Sequence, residues 1–265
     1  MASEPSSQKR LVVQADDLGS SHAANAAIQG LFLRGAVTST TLITLGPWAR
    51  DALVWHRENP KFAVGLHLTH TSEWNAPRWR PLLDETNVPS LFDPEGYLWP
   101  SVDAPGAHGD PQHLLDESRA QLAFFLRYGI RPTHIDNHMF SLVHNDQNFE
   151  NYLGFGKAAD LPVLVPPWAL WSEARQRSVS ESAHAVVPHL LTLENGWEAV
   201  WDQLTPGLNL LVTHPVLDTP EIRRSIPGWE ERFREYQLLS GIDLKLSARH
   251  AGVLLTDFAG GRYGD

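Results

Sequence analysis

The sequence predicts an α/β fold of about seven βα units around a parallel sheet. Three observations carry this. Short β-branched and apolar runs alternate with longer helical stretches along the whole chain. The 265 residues contain no internal repeat, low-complexity tract or linker, and one barrel-type domain commonly takes ~200–250 residues. Ionisable side chains also interrupt several apolar runs at their carboxyl ends, where parallel α/β folds assemble their sites.

After a polar tail over residues 1–9, a single domain is predicted over residues 10–265. Arg10 to Ala15 reads as the first strand. A helix follows from Ser21, a capping residue, to Arg34, and Gly35 stops it. Val37 to Leu45 is the second strand, and Pro47 opens a helix that runs to Glu58. Phe62 to Thr69 is the third strand. Residues 70–110 show no period but hold Trp74, Trp79 and Trp99, which predicts an irregular insert serving as an ordered lid. A helix over Gln112 to Tyr128 precedes a fourth strand, Thr133 to Met139, and a short fifth, Leu161 to Val165. Residues 166–206 are mixed, with a helix around Gly196 to Leu204. Leu208 to Thr213 is a strand, Trp229 to Leu239 and Asp243 to His250 are helices, and Val253 to Phe258 is the last strand.

With 31 acidic against 21 basic side chains, the formal net charge is −10. That argues against nucleic acid or an anionic membrane as partner, since both call for Lys and Arg clusters. Cysteine is absent, which removes disulfides, thiolate metal sites and cysteine nucleophiles. The apolar run Leu11 to Val13 is too short for a signal segment or membrane span, so a cytoplasmic protein is expected. Thirteen histidines and ten tryptophans suggest a polar site fringed by aromatic platforms, which suits carbohydrate.

Four clusters sit at strand ends: Asp16-Asp17, His67, the trio His134, Asp136 and His138 at period two, and His214-Pro215. Singly, each has a plain structural explanation. An Asp-Asp pair caps turns, and a strand histidine is often a satisfied core residue. Together they would place several ionisable groups in one interior, which is costly unless they pair or bind metal. A metal site is the expectation.

The segments Gln14-Ala15-Asp16-Asp17-Leu18-Gly19, Asn25 and Gly35-Ala36-Val37-Thr38-Ser39-Thr40-Thr41 resemble the opening of the YdjC-type carbohydrate deacetylases. That group includes the diacetylchitooligosaccharide and hopanoid-pathway deacetylases. Gly65-Leu66-His67-Leu68, Pro132 to His138 and His214-Pro215 continue the likeness in order, over roughly residues 10–258. The resemblance implies a distorted (β/α) barrel related to polysaccharide deacetylases. It implies Asp17, His67 and His138 as metal ligands, Asp16 as catalytic base and His214 as acid. His134 and Asp136 would support the ligands or touch substrate. The chain departs from the family's usual pattern at Gln14 and Leu18, and at Met139 to Leu142, where further histidines are common. The last departure bears on sugar specificity.

The chemistry is consistent with that likeness. Amide hydrolysis needs an activated water, a polarised carbonyl and a protonated leaving amine. One carboxylate and two imidazoles around a divalent ion leave positions open for water and the acetyl oxygen. A second carboxylate and a further imidazole can serve as base and acid. The cofactor implied is one divalent ion: Zn²⁺, Co²⁺ or Mn²⁺ on softness grounds, with Mg²⁺ allowed by the family. The partner implied is a small N-acetylated sugar, and a homodimer is left open. Trp74, Trp79 and Trp99 are candidate surfaces for sugar rings, Trp48 and Trp55 are helix-packing residues, and Arg232 and Arg234 among glutamates read as a solvated helix face. Competing functions are a metal-dependent phosphoesterase or sugar isomerase on the same barrel, and a non-catalytic carbohydrate-binding relative.

Overall fold

The structure is a computed structural model and describes residues 7–74 and 76–258. Residues 1–6 of the polar tail and residues 259–265 of the predicted domain lie outside the described residues. Nine strands occur among the described residues: β1 (Lys9–Leu18), β2 (Ser39–Leu42), β3 (Ala63–Leu68), β4 (Ile135–Asn137), β5 (Val163–Leu164), β6 (Ala185–Val186), β7 (His189–Leu191), β8 (Gly207–Thr213) and β9 (Leu254–Leu255). All their pairings are parallel, in the order β6-β5-β4-β3-β2-β1-β8-β7, with β9 on β1. β6 and β7 end this order, yet only Val187 and Pro188 separate them in sequence. Three residue steps reach roughly 10 Å. The sheet therefore curls until its ends nearly meet, giving a distorted barrel with a seam between β6 and β7.

The seven predicted strands are all present, several of them shorter than expected. The two additional ones, β6 and β7, have two and three residues, too few to display a period. Ten α-helices among the described residues cover the outside: α1 (His22–Arg34), α2 (Ala49–Glu58), α3 (Ala104–Ala107), α4 (Pro111–Arg127), α5 (Asp146–Ala159), α6 (Glu173–Glu181), α7 (Gly196–Gln203), α8 (Pro220–Ser225), α9 (Trp229–Ser240) and α10 (Leu244–His250). Their ends follow the capping rules. Ser21 accepts from the Ala24 amide, and Gly35 closes α1 in the left-handed region at φ 69°. Asp110 caps α4 ahead of Pro111. Sequence reading missed α5, although Asn145 caps it and Phe149, Tyr152 and Leu153 bury one face. Asn, Gln and two glycines dilute its helical composition, and Gly156 is needed because a Cβ there would meet Val163 Cγ2 at 1.8 Å.

Period two sorts β1 into two faces. Leu11, Val13 and Ala15 face the helices in the main core, while Val12 joins Leu164 and Leu210 in a small cluster inside the barrel. Gln14 and Asp16 continue the inward register above Val12. Likewise Val64, Leu66 and Leu68 of β3 join the outer core, leaving Gly65 and His67 inward. Phe258 stacks on His134 at 4.1 Å beside the inner cluster. The barrel thus has an apolar floor with a polar layer above it, at the carboxyl ends of the strands.

Candidate metal centre

A backbone irregularity in β1 positions the two adjacent aspartates. The β1–β2 register shifts between Ala15 and Leu18, and Asp17 adopts φ 68°. A regular strand would send neighbouring side chains to opposite faces; this kink turns both carboxyls toward His67. The turn beyond is tight. Gly19, at φ 89°, packs so closely that a Cβ on Gly46 would lie 2.1 Å from the Gly19 carbonyl oxygen. Asn25 accepts from the Gly19 amide at 2.7 Å, a structural role for the motif asparagine.

Asp17, His67 and His138 converge. His67 Nε2 is 3.6 Å and His138 Nδ1 3.4 Å from Asp17 Oδ1, and the two nitrogens are 3.3 Å apart. Two donors each ~2.0–2.1 Å from one ion at a tetrahedral angle lie about 3.4 Å apart, so this triangle is the right size. Asp17 Oδ1 is buried and without a hydrogen bond, as a ligand atom awaiting a cation would be. The donor set fits a divalent ion.

Surrounding groups hold each ligand. Arg232 donates to Asp17 Oδ2 at 2.7 Å, while its guanidinium lies 5.4 Å from the Trp74 ring centre. This corrects the solvated-face reading of Arg232: its side chain is 19% exposed and turns inward from α9. Glu73 meets His138 Nε2 at 2.9 and 3.1 Å. The predicted interior trio is present, although β4 ends at Asn137 and His138 begins a short 3₁₀ turn. Gln14 links the other two, donating to Asp136 Oδ2 and meeting His134 Nε2, each at 3.0 Å. Asp16 accepts from Thr41 Oγ1 at 2.6 Å. His214 follows β8 and lines the same cavity of about 270 Å³ as Asp16, His67, Asp136, His138 and Arg232.

Burial sets most of the proton affinities here. It pushes Asp16 and Asp136 up to about 7, against the opposing charge of His67 and the hydrogen bonds to Asp136. Burial would also raise Asp17, but the Arg232 guanidinium and His138 outweigh it and hold that carboxyl well below the usual range. Burial lowers His138, yet Glu73 and Asp17 overcome this and bring it to about 10. Burial and Arg232 push His214 down to about 3, and burial takes His134 to about 3.

The insert tryptophans are placed differently from the expectation. Trp74 and Trp79 are buried in a cluster with Ala23, Ala24, Ile43 and Val216, and Trp79 sets its edge on His138 at 5.4 Å. Trp99 stacks on His108 and donates its indole N–H to the Ser90 carbonyl. In this structure those faces are taken up by packing. The aromatic surface beside the cavity is instead the partly buried Phe140, which meets the half-exposed Trp168 edge-on at 5.6 Å. Sequence reading missed Glu73, which lies in the segment without a period, and Gln14, whose polarity inside a strand was the available signal.

A family model described as YdjC-like protein matches residues 10–247. The chain belongs to the YdjC-like family. This YdjC-like chain is 34% identical over 244 residues to a carbohydrate deacetylase of Thermus thermophilus, covering 87% of this chain and 86% of that one. A carbohydrate deacetylase of Vibrio vulnificus is 26% identical over 262 residues, covering 94% and 95%. A solved structure from Enterococcus faecalis, described as a cellobiose-phosphate cleavage protein, superposes with a TM-score of 0.80 at 25% identity, covering 95% of this chain and 98% of that one. Among the described residues no helix is long and apolar enough to cross a membrane.

Proposed function

We propose that this YdjC-like chain is a metal-dependent hydrolase that removes the acetyl group from an N-acetylated amino sugar or chitooligosaccharide. The observation that carries the reading is the Asp17–His67–His138 donor triangle beside a cavity that also presents Asp16 and His214. Relatives named carbohydrate deacetylases, matched over most of both chains, support it.

When bound at that triangle, a divalent ion supplies the positive charge that polarises the acetyl carbonyl and acidifies water. Two imidazoles with one carboxylate suit Zn²⁺, Co²⁺ or Mn²⁺. Asp16 is the base. Thr41 fixes its Oδ1, and a proton affinity near 7 matches the task of accepting a proton from water at neutral pH. Water's oxygen joins the acetyl carbon, the C–N bond breaks, and the nitrogen gains a proton to leave as a free amine beside acetate. His214 is the donor to that nitrogen. Burial and Arg232 keep His214 neutral, so the proton it passes to that nitrogen is the one Asp16 has taken from the water. Met139 and Phe140 line the cavity mouth and offer an apolar wall to the C–H face of a sugar ring.

A sugar phosphate suits the cavity less well. Arg232 is the only guanidinium or ammonium among its lining residues, and it is bound to Asp17, while Asp16 and Asp136 would repel the ester. The test is acetate release from a panel of N-acetylated sugars before and after exhaustive chelation. Activity lost on chelation and regained with one ion per chain is expected. Acetate release that chelation leaves unchanged refutes the mechanism.

A further inference from the structure

The first residues of the insert reach the metal centre from outside the barrel. Ser72 is pinned at both ends: its amide donates to the Trp99 carbonyl at 2.9 Å, and its hydroxyl accepts from the Trp79 amide at 2.8 Å. Trp74, on the far side of Glu73, is buried. The intervening Glu73 carboxylate is thereby directed at His138, with both oxygens within hydrogen-bond distance of Nε2. The opposite nitrogen, Nδ1, faces Asp17 Oδ1 and His67 Nε2.

An imidazole in that setting has one outcome for its two nitrogens. A carboxylate can only accept, so it keeps the proton on Nε2, and Nδ1 is then the nitrogen that gives up its proton to offer a lone pair to a cation. We infer that Glu73 is a positioning residue for the metal centre: it fixes the tautomer and ring angle of His138 so that Nδ1, not Nε2, completes the donor triangle. The inference rests on the metal-centre reading and concerns how one ligand is held. Trp79 adds a steric wall, its edge on the same ring. Trp74 does the corresponding job at one remove, beneath the Arg232 that fixes Asp17 Oδ2. The start of the insert thus braces two of the three ligands.

Carboxylate partners of metal-bound histidines are typically worth about 10–100-fold in metal affinity. The experiment measures Zn²⁺ affinity by chelator competition on the full chain, with no sugar present. Glu73→Ala should weaken binding by about 10–100-fold, and Glu73→Gln, which keeps an acceptor but loses the charge, should fall between it and wild type. The visible spectrum of the Co²⁺-loaded protein should change in the Ala variant. In a His138→Ala background the Glu73→Ala change should alter affinity by less than about twofold, because the group it positions is gone.

Wild-type affinity in both Glu73 variants overturns the inference and leaves the metal centre standing. A Glu73→Ala loss of the same size with and without His138 also overturns it, since Glu73 would then act directly on the ion. Should Glu73→Ala fail to fold, the nearly isosteric Gln variant decides alone, and unchanged affinity there refutes the role. A wild-type chain that binds no Zn²⁺ sinks the metal centre together with the brace. Metal binding without acetate release from any sugar sinks only the proposed reaction.

Discussion

Arg232→Met tests whether the α9 arginine belongs to the site or to the surface. Methionine keeps an apolar stem over Trp74 and removes the guanidinium that donates to Asp17. Asp17 is 2% exposed, so the lost charge is not replaced by water. Breaking a buried ion pair costs ~3–5 kcal/mol. Arg232 is 19% exposed and His138 stays beside Asp17, which brings the expectation down to about 2–3 kcal/mol. At ~2–4 °C per kcal/mol for chains of this size, the chelated variant should melt about 4–12 °C below wild type. A divalent ion at Asp17 supplies positive charge of its own, so the metal-loaded variant should lose less than half of that. The assay is calorimetric melting of both forms with and without Zn²⁺. A chelated variant melting within about 1 °C of wild type would return Arg232 to the solvated face. An equal loss in both forms would refute Asp17 as a ligand.

Asp16→Asn should keep the metal and lose on the order of 10²–10⁴-fold in turnover, whereas Asp17→Asn should lose metal and activity together. Metal analysis beside kcat decides this, and the opposite pattern would exchange the two roles. His138 holds its proton up to about 10 without metal, and an ion at Nδ1 must displace that proton. Apparent affinity should therefore rise with pH, by about tenfold per unit through neutrality, and level off near 10. Calorimetry in two buffers of different ionisation enthalpy counts the proton, and none released refutes the ligand assignment of His138. Gly65→Ala would put a Cβ 2.4 Å from His134 Cε1, and such overpacking costs about 1–3 kcal/mol. A variant as stable as wild type would show that His134 is not held against β3.

The strands and most long helices were legible because each carries its own signal: β-branched runs, the Ser21 and Gly35 caps, the amphipathic stretch Gln112 to Tyr128. The inward residues were legible too, since period two in Thr133 to His138 does not depend on strand length. Signals created only by the third dimension were not. Nothing local distinguishes Arg232 from the glutamates around it, because its partner lies 215 residues away in sequence. Glu73 follows a stretch buried without regular structure, where periodicity has no meaning. The burial of the insert tryptophans was hidden for a related reason. Composition suggested aromatic platforms, but Trp74 and Trp79 bury large apolar surfaces in a core that an irregular insert must build for itself.

Two adjacent carboxyls can do different work only if their surroundings separate them, and the kink in β1 is what does so. Asp17, turned by its positive φ toward α9, acquires Arg232 and His138 and stays ionised far below neutrality. Asp16 remains in the inward register, where burial outweighs the charge of His67 and the Thr41 hydroxyl, and its carboxyl rises to about 7. A permanently anionic oxygen is what a cation needs, and a carboxyl that exchanges its proton near neutrality is what a base needs. Straightening the strand would point one side chain into the outer core, where an unpaired carboxylate is costly. The Asp-Asp pair and the turn-forming Gly19, Asn25 and Gly46 are therefore one device: the turn holds the kink, and the kink assigns the two protonation states.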